Sequence, residues 1–143
     1  MRDLALTLAV AAVVLAGCGR DDDGDGGGAT AAPDEAVGTD LRIEVRVDEG
    51  AEARVLTLTC DPAGGDHPQA QQACDALAAE APEVFDPIPL DQVCTMIYGG
   101  PQTARVAGTY DGTAVDATFS RENGCELDRW ERLGTTFFDV PLQ

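Results

Sequence analysis

The chain has 143 residues, a formal net charge of −17 and no lysine, its nine basic residues all being arginine. So acidic a surface repels phosphates and anionic headgroups, which argues against nucleic acid as a partner and against electrostatic adsorption to membranes. Once the targeting and linker segments described below are set aside, about a hundred residues remain to fold, enough for one domain with a thin core. Aromatic residues are only 5% of the chain, so few large side chains exist to fill that core.

Arg2 precedes an apolar run from Leu4 to Ala16, ending Leu15-Ala16-Gly17-Cys18. The run is shorter than the roughly 20 residues of a membrane span and fits the core of an export signal. Its ending resembles the lipobox of bacterial lipoproteins. That resemblance implies a signal peptide over 1–17, lipidation of Cys18 and attachment to the outer face of the bacterial cytoplasmic membrane, with secretion as the alternative. Residues 18–40 read as the lipidated cysteine and a linker rich in Gly and Asp, which cannot bury enough apolar surface to offset the entropy of ordering. Asp21, Asp23, Asp25 and Gly26 imitate half of an EF-hand loop, but Ala32 stands where its bidentate acid belongs. The reading is a solvated tether.

The folded domain is expected over 41–143. Leu41, Ile43, Val45 and Val47 alternate with Arg42, Glu44, Arg46 and Asp48, the period of a half-buried antiparallel strand. A turn near Glu49-Gly50 leads to a second strand, Ala53 to Cys60. Pro68 suits the first position of a helix. Ala70, Ala73, Cys74 and Leu77 then form one apolar stripe, which Pro82 ends. Thr103 to Tyr110 and Thr113 to Ser120 flank Asp111-Gly112, a hairpin turn signal. Thr135 to Val140 is predicted as a fifth strand. The expected class is α+β: a five-stranded antiparallel sheet with one main helix, room for a second short one, and two disulfides among Cys60, Cys74, Cys94 and Cys125.

The segments Cys60-Asp61-Pro62, Gly65-Asp66-His67-Pro68 and Ala73-Cys74-Asp75-Ala76-Leu77 together resemble the signature of the Streptomyces subtilisin inhibitor family. Cys94-Thr95-Met96-Ile97-Tyr98 resembles the family's reactive-site segment, Gly108 to Gly112 its hairpin, and Asn123-Gly124-Cys125-Glu126 its Asn-x-Cys-Glu. Four cysteines allow three pairings; the resemblance implies Cys60–Cys74 and Cys94–Cys125. It also implies a homodimer formed through the sheet. After Tyr98, where the family has Asp-Pro, this chain has Gly99-Gly100-Pro101, one residue longer and more flexible.

The function so implied is inhibition of an extracellular subtilisin-like serine protease by a substrate-like mechanism, with chymotrypsin-like enzymes as a further target class. Met96 would enter the S1 pocket and Met96–Ile97 would be the reactive bond, with Cys94 and Thr95 before it and Tyr98 after it. Without the resemblance, Met96, Ile97 and Tyr98 read as buried apolar chain. The rival function is a non-inhibitory cell-envelope module that binds another exported protein on the same fold. No catalytic residue is expected: His67, the one histidine, has no serine or free cysteine near it and reads as a hydrogen-bonded structural residue. Cys60, His67 and Cys74 do not read as a zinc site, since export favours disulfides. No metal or cofactor is expected.

Overall fold

The computed structural model describes residues 38–140. The signal peptide, Cys18 and residues 18–37 of the linker lie outside them. The described chain runs β1 (Thr39–Arg46), β2 (Arg54–Cys60), α1 (Ala70–Glu80), a 3-10 turn (Glu83–Phe85), β3 (Thr103–Tyr110), β4 (Thr113–Phe119) and α2 (Gly124–Phe138). The strands form one antiparallel sheet in the order β2-β1-β3-β4. The class is therefore α+β as expected, with four strands rather than five.

Period-two patterning sets the register. Leu56 pairs with Ile43, Ile43 with Val106 and Val106 with Ala117, an apolar row across all four strands on one face. A one-residue slip would turn the whole row to water. The opposite face is polar and carries the exposed Arg42–Glu44 and Arg105–Asp116 pairs. The Arg105 guanidinium, hydrogen-bonded to Asp116, holds that carboxyl below the usual range. Val47, expected inside, is 54% exposed, because β1 ends at Arg46 and Val47 lies beyond the alternation. Asp111 and Gly112 both take positive φ in the β3–β4 turn, as a two-residue hairpin requires.

Ala73, Cys74 and Leu77 of α1 are buried, so the predicted stripe is the packed face. The helix starts at Ala70 after Gln69, two residues beyond Pro68, and its last N–H partner precedes Pro82, which has no N–H to continue the ladder.

The main correction is the C-terminal segment. Residues 135–138, predicted as strand, are the last part of α2, which kinks at Gly134. Phe137 and Phe138 are both fully buried. Neighbours in a strand point to opposite faces, whereas neighbours in a helix lie about 100° apart and can share a wide apolar stripe. Arg129, Trp130 and Leu133 before the kink and Phe137 and Phe138 after it are all buried. Trp130 stacks on Phe138 at 4.0 Å, and Phe138 meets Phe119 of β4 at 5.3 Å. The few aromatic residues are thus concentrated where α2 meets the sheet.

Candidate functional site

Between the 3-10 turn and β3, residues 86–102 form no helix or strand. Within this loop Met96 is 93% exposed, Ile97 58% and Tyr98 65%. Burying a side chain of this size is worth about 1.5–3 kcal/mol. Three such neighbours left in water mean that the backbone holds them out against their own preference. A contiguous apolar patch of this kind marks an interaction surface.

What holds them is the start of α2 and the segment before it. Cys94 is bonded to Cys125, with Cα atoms 5.4 Å apart. One residue on, the Gly124 N–H donates to the Thr95 carbonyl at 2.9 Å. On the far side the Gly99 N–H donates to the Arg121 carbonyl at 2.7 Å. Met96, Ile97 and Tyr98 lie between these two backbone bonds, so the exposed triplet is clamped at both ends. Gly124 leaves room there for the Thr95 side chain: a Cβ would stand 1.9 Å from its hydroxyl, which would have to turn away.

The clamp rests on a well-anchored helix. The Asn123 side chain accepts from the N–H groups of Cys125 and Glu126 at 3.0 and 3.1 Å, capping α2 at its N-terminus. Arg129, only 5% exposed, reaches four neighbours from that helix. Its Nε and Nη2 donate to the Val84 carbonyl, its Nη1 donates to the Thr118 carbonyl and to Glu126, and its guanidinium lies 4.5 Å over the Phe119 ring. It thereby ties α2 to β4 and to the turn from which the loop departs. Removing one partner from such a buried network costs more than the network contributes net, so its geometry is strongly specified.

The second disulfide serves a different region. Cys60–Cys74 joins the end of β2 to α1 across 14 residues. Nearby, His67 is buried; its Nε2–H donates to the Phe137 carbonyl at 2.9 Å and its Nδ1 accepts from Gln69 N–H at 3.1 Å. Both ring nitrogens are committed to backbone, which is a structural role. Asp66 beside it accepts from the Thr57 N–H and hydroxyl, and these bonds, the backbone one first, pull its carboxyl below the usual range. Among the described residues no three His, Cys, Asp or Glu side chains come together in a way that could hold a metal.

Of the residues singled out from sequence, Cys94, Thr95, Met96, Ile97 and Tyr98 are contiguous in this loop, and Cys94 and Cys125 meet in the bond at its base. Cys60 and Cys74 are bonded away from it. Sequence reasoning missed Arg121, Gly124 and Arg129. The Asn123-x-x-Glu126 spacing, a helix-start pattern, was the one available signal for where α2 begins.

Residues 38–123 match the subtilisin inhibitor-like family. Subtilisin inhibitor-like protein 1 of Streptomyces cacaoi is 39% identical over 83 residues, covering 53% of this chain and 72% of that protein. Protease inhibitor SIL-V1/SIL-V4 of Streptomyces netropsis is 36% identical over 97 residues, covering 66% of this chain and 86% of that protein. Among solved structures, Streptomyces caespitosus sermetstatin in complex with Bacillus licheniformis subtilisin is similar with a TM-score of 0.45 and 24% identity, over 71% of this chain and 97% of that one. With more than half of its length matched, the chain, built around a disulfide-clamped apolar loop, belongs to the subtilisin inhibitor-like family.

Proposed function

We propose that this protein inhibits subtilisin-like serine proteases by presenting Met96–Ile97 as a substrate that is bound but poorly released. The observation that carries the reading is the clamped loop: Met96, Ile97 and Tyr98 stand exposed between the Thr95 and Gly99 backbone bonds, with Cys94–Cys125 at the base. A protease groove binds extended chain. A loop already fixed in place loses little entropy on docking, so more of its contact energy appears as affinity. If the bond is cut, the clamps keep the new Ile97 amine beside the acyl group on Met96. Religation, an intramolecular step of high effective concentration, then competes with hydrolysis.

Methionine at the position entering S1 is long, flexible and apolar, which suits a roomy hydrophobic pocket. Chymotrypsin-like enzymes share that preference and form the second target class. Titration against subtilisin is expected to give tight, stoichiometric inhibition, and Met96→Asp is expected to weaken it on the order of a hundredfold or more. Met96→Lys is expected to move the preference toward trypsin. Rapid digestion of the parent chain, or a Met96→Asp variant as potent as the parent, would refute the reading.

We further propose that Cys18 carries a lipid and that the inhibitor works tethered at the outer face of the membrane, on the Leu15-Ala16-Gly17-Cys18 pattern. Cys18→Ser is expected to move the protein from the membrane pellet to the medium on fractionation; retention in the pellet would count against lipidation. Two copies would pair through the polar face of the sheet, which among the described residues lies opposite the helices.

A further inference from the structure

Gly99-Gly100-Pro101 sits just past the proposed reactive bond, where a flexible extra residue should weaken the loop. Beneath it lies Arg121, only 6% exposed. Arg121 touches this segment in two ways. Its carbonyl accepts the Gly99 N–H at 2.7 Å, and its Nη1 donates to Oε1 of Gln102, itself 8% exposed, at 2.9 Å.

The two glycines fit over these groups. A Cβ on Gly100 would stand 2.3 Å from the Gln102 Oε1 and 3.1 Å from the Arg121 Nη1, and one on Gly99 would stand 2.6 Å from Leu127 Cδ1. Gly100 also takes φ +135°, open to glycine and strained for other residues. The glycines therefore act as clearance that lets the chain lie down on a buried guanidinium and a leucine.

Arg121 is an unusual choice for a buried position. Among the described residues it forms no ion pair, and its Nε is buried with no hydrogen-bond partner. A buried cation with an unmet donor is a cost to folding. Residues that break a local rule of stability tend to sit at functional sites.

We infer that Arg121 is a positioning residue for the reactive loop: with Gln102 as its partner, it holds the Gly99–Gln102 segment, and through it the Ile97 side of the bond. This inference rests on the proposed inhibition. It carries an expectation that a merely structural residue would not meet, because loop function and stability separate. Arg121→Met replaces the guanidinium with apolar chain of similar length. It is expected to leave the unfolding temperature equal to or above that of the parent. Its affinity for subtilisin should fall about tenfold, the equivalent of one charge-assisted hydrogen bond, and cleavage of Met96–Ile97 in the complex should quicken. Gln102→Leu should reproduce these losses, the Arg121→Met, Gln102→Leu pair should be no worse than either alone, and Gln102→Glu, which keeps the acceptor, should inhibit like the parent.

Amide hydrogen exchange at Gly99, measured without protease, tests the positioning directly and should be about tenfold faster in Arg121→Met and in Gln102→Leu. If the parent fails to inhibit subtilisin, the proposed function falls, and the Gly99 exchange still decides the role of Arg121. Parent-like exchange in both variants, or an affinity loss in Arg121→Met that merely follows a lowered unfolding temperature, would overturn the inference; Gln102→Leu, which leaves the buried guanidinium without its partner, is judged on exchange and affinity alone.

Discussion

The two disulfides sit in regions built on opposite principles. Around Cys60–Cys74 the chain is held by burial: Ala73 and Leu77 pack on the sheet, His67 spends both ring nitrogens on backbone, and the bridge adds to contacts that already exist. Around Cys94–Cys125 the apolar side chains face water, and what holds the loop is one bridge, two backbone hydrogen bonds and the glycines that let it lie close to α2. In the first region the bridge reinforces a core. In the second it takes the place of one. An exposed apolar loop can be rigid only if its backbone is fixed from below, and rigidity without burial is what a substrate-like inhibitor requires.

Removing the bridges separately would break or sharpen this contrast. The largest effect is expected from Cys94→Ala with Cys125→Ala. The bridge closes 31 residues, so loop entropy puts its contribution near 3.5–4 kcal/mol. Because Met96, Ile97 and Tyr98 have no buried packing to fall back on, inhibition should collapse and subtilisin should digest the loop, as read by mass spectrometry of the reaction. Cys60→Ala with Cys74→Ala opens a loop of 14 residues and should cost about 3 kcal/mol in urea unfolding. Below its unfolding transition that variant should inhibit like the parent. Equal loss of inhibition in both variants would dissolve the distinction between the regions.

The smallest expected effect is a pH dependence confined to the first region. The hydrogen bonds from Thr57 lower the Asp66 carboxyl in the folded state. The folded value thus lies below the unfolded one, near 3.9. Its stabilisation is fully present above the unfolded value and is lost as pH falls through the folded value. Unfolding temperatures of the parent and of Asp66→Asn should therefore differ at neutral pH and converge in acid below about pH 4. Asp66 is exposed, so the difference is small, and inhibition at neutral pH should not change.

How much was legible depended on how local the signal is. The alternation in β1, the stripe of α1 and the Asp111-Gly112 turn are written in neighbouring residues, and the structure keeps all three. The last element was misread because Thr135 to Val140 carries threonines and phenylalanines, which favour strands in isolation. Nothing in those residues alone marks the kink at Gly134 or the short helical turn that follows it. Met96, Ile97 and Tyr98 pose the harder case. Their composition is that of core, and the resemblance to a reactive segment, not their chemistry, pointed to exposure.

By itself the sequence determined the strands and first helix, the acidic surface, the likeness of Cys94 to Tyr98 to a reactive segment, and the presence of four cysteines in the domain. Tertiary structure decided which face each element buries, that the C-terminal phenylalanines sit on a helix, and that the loop is clamped at Thr95 and Gly99. It also placed Arg121 under Gly99 and Gly100, which turns an apparent slack in the chain into a fitted surface. The physical reason is distance along the chain. Periodicity and turn chemistry act between residues a few positions apart. The clamp joins residues 94–99 to residues 121–125, and its hydrogen bonds exist only once α2 has packed against the sheet.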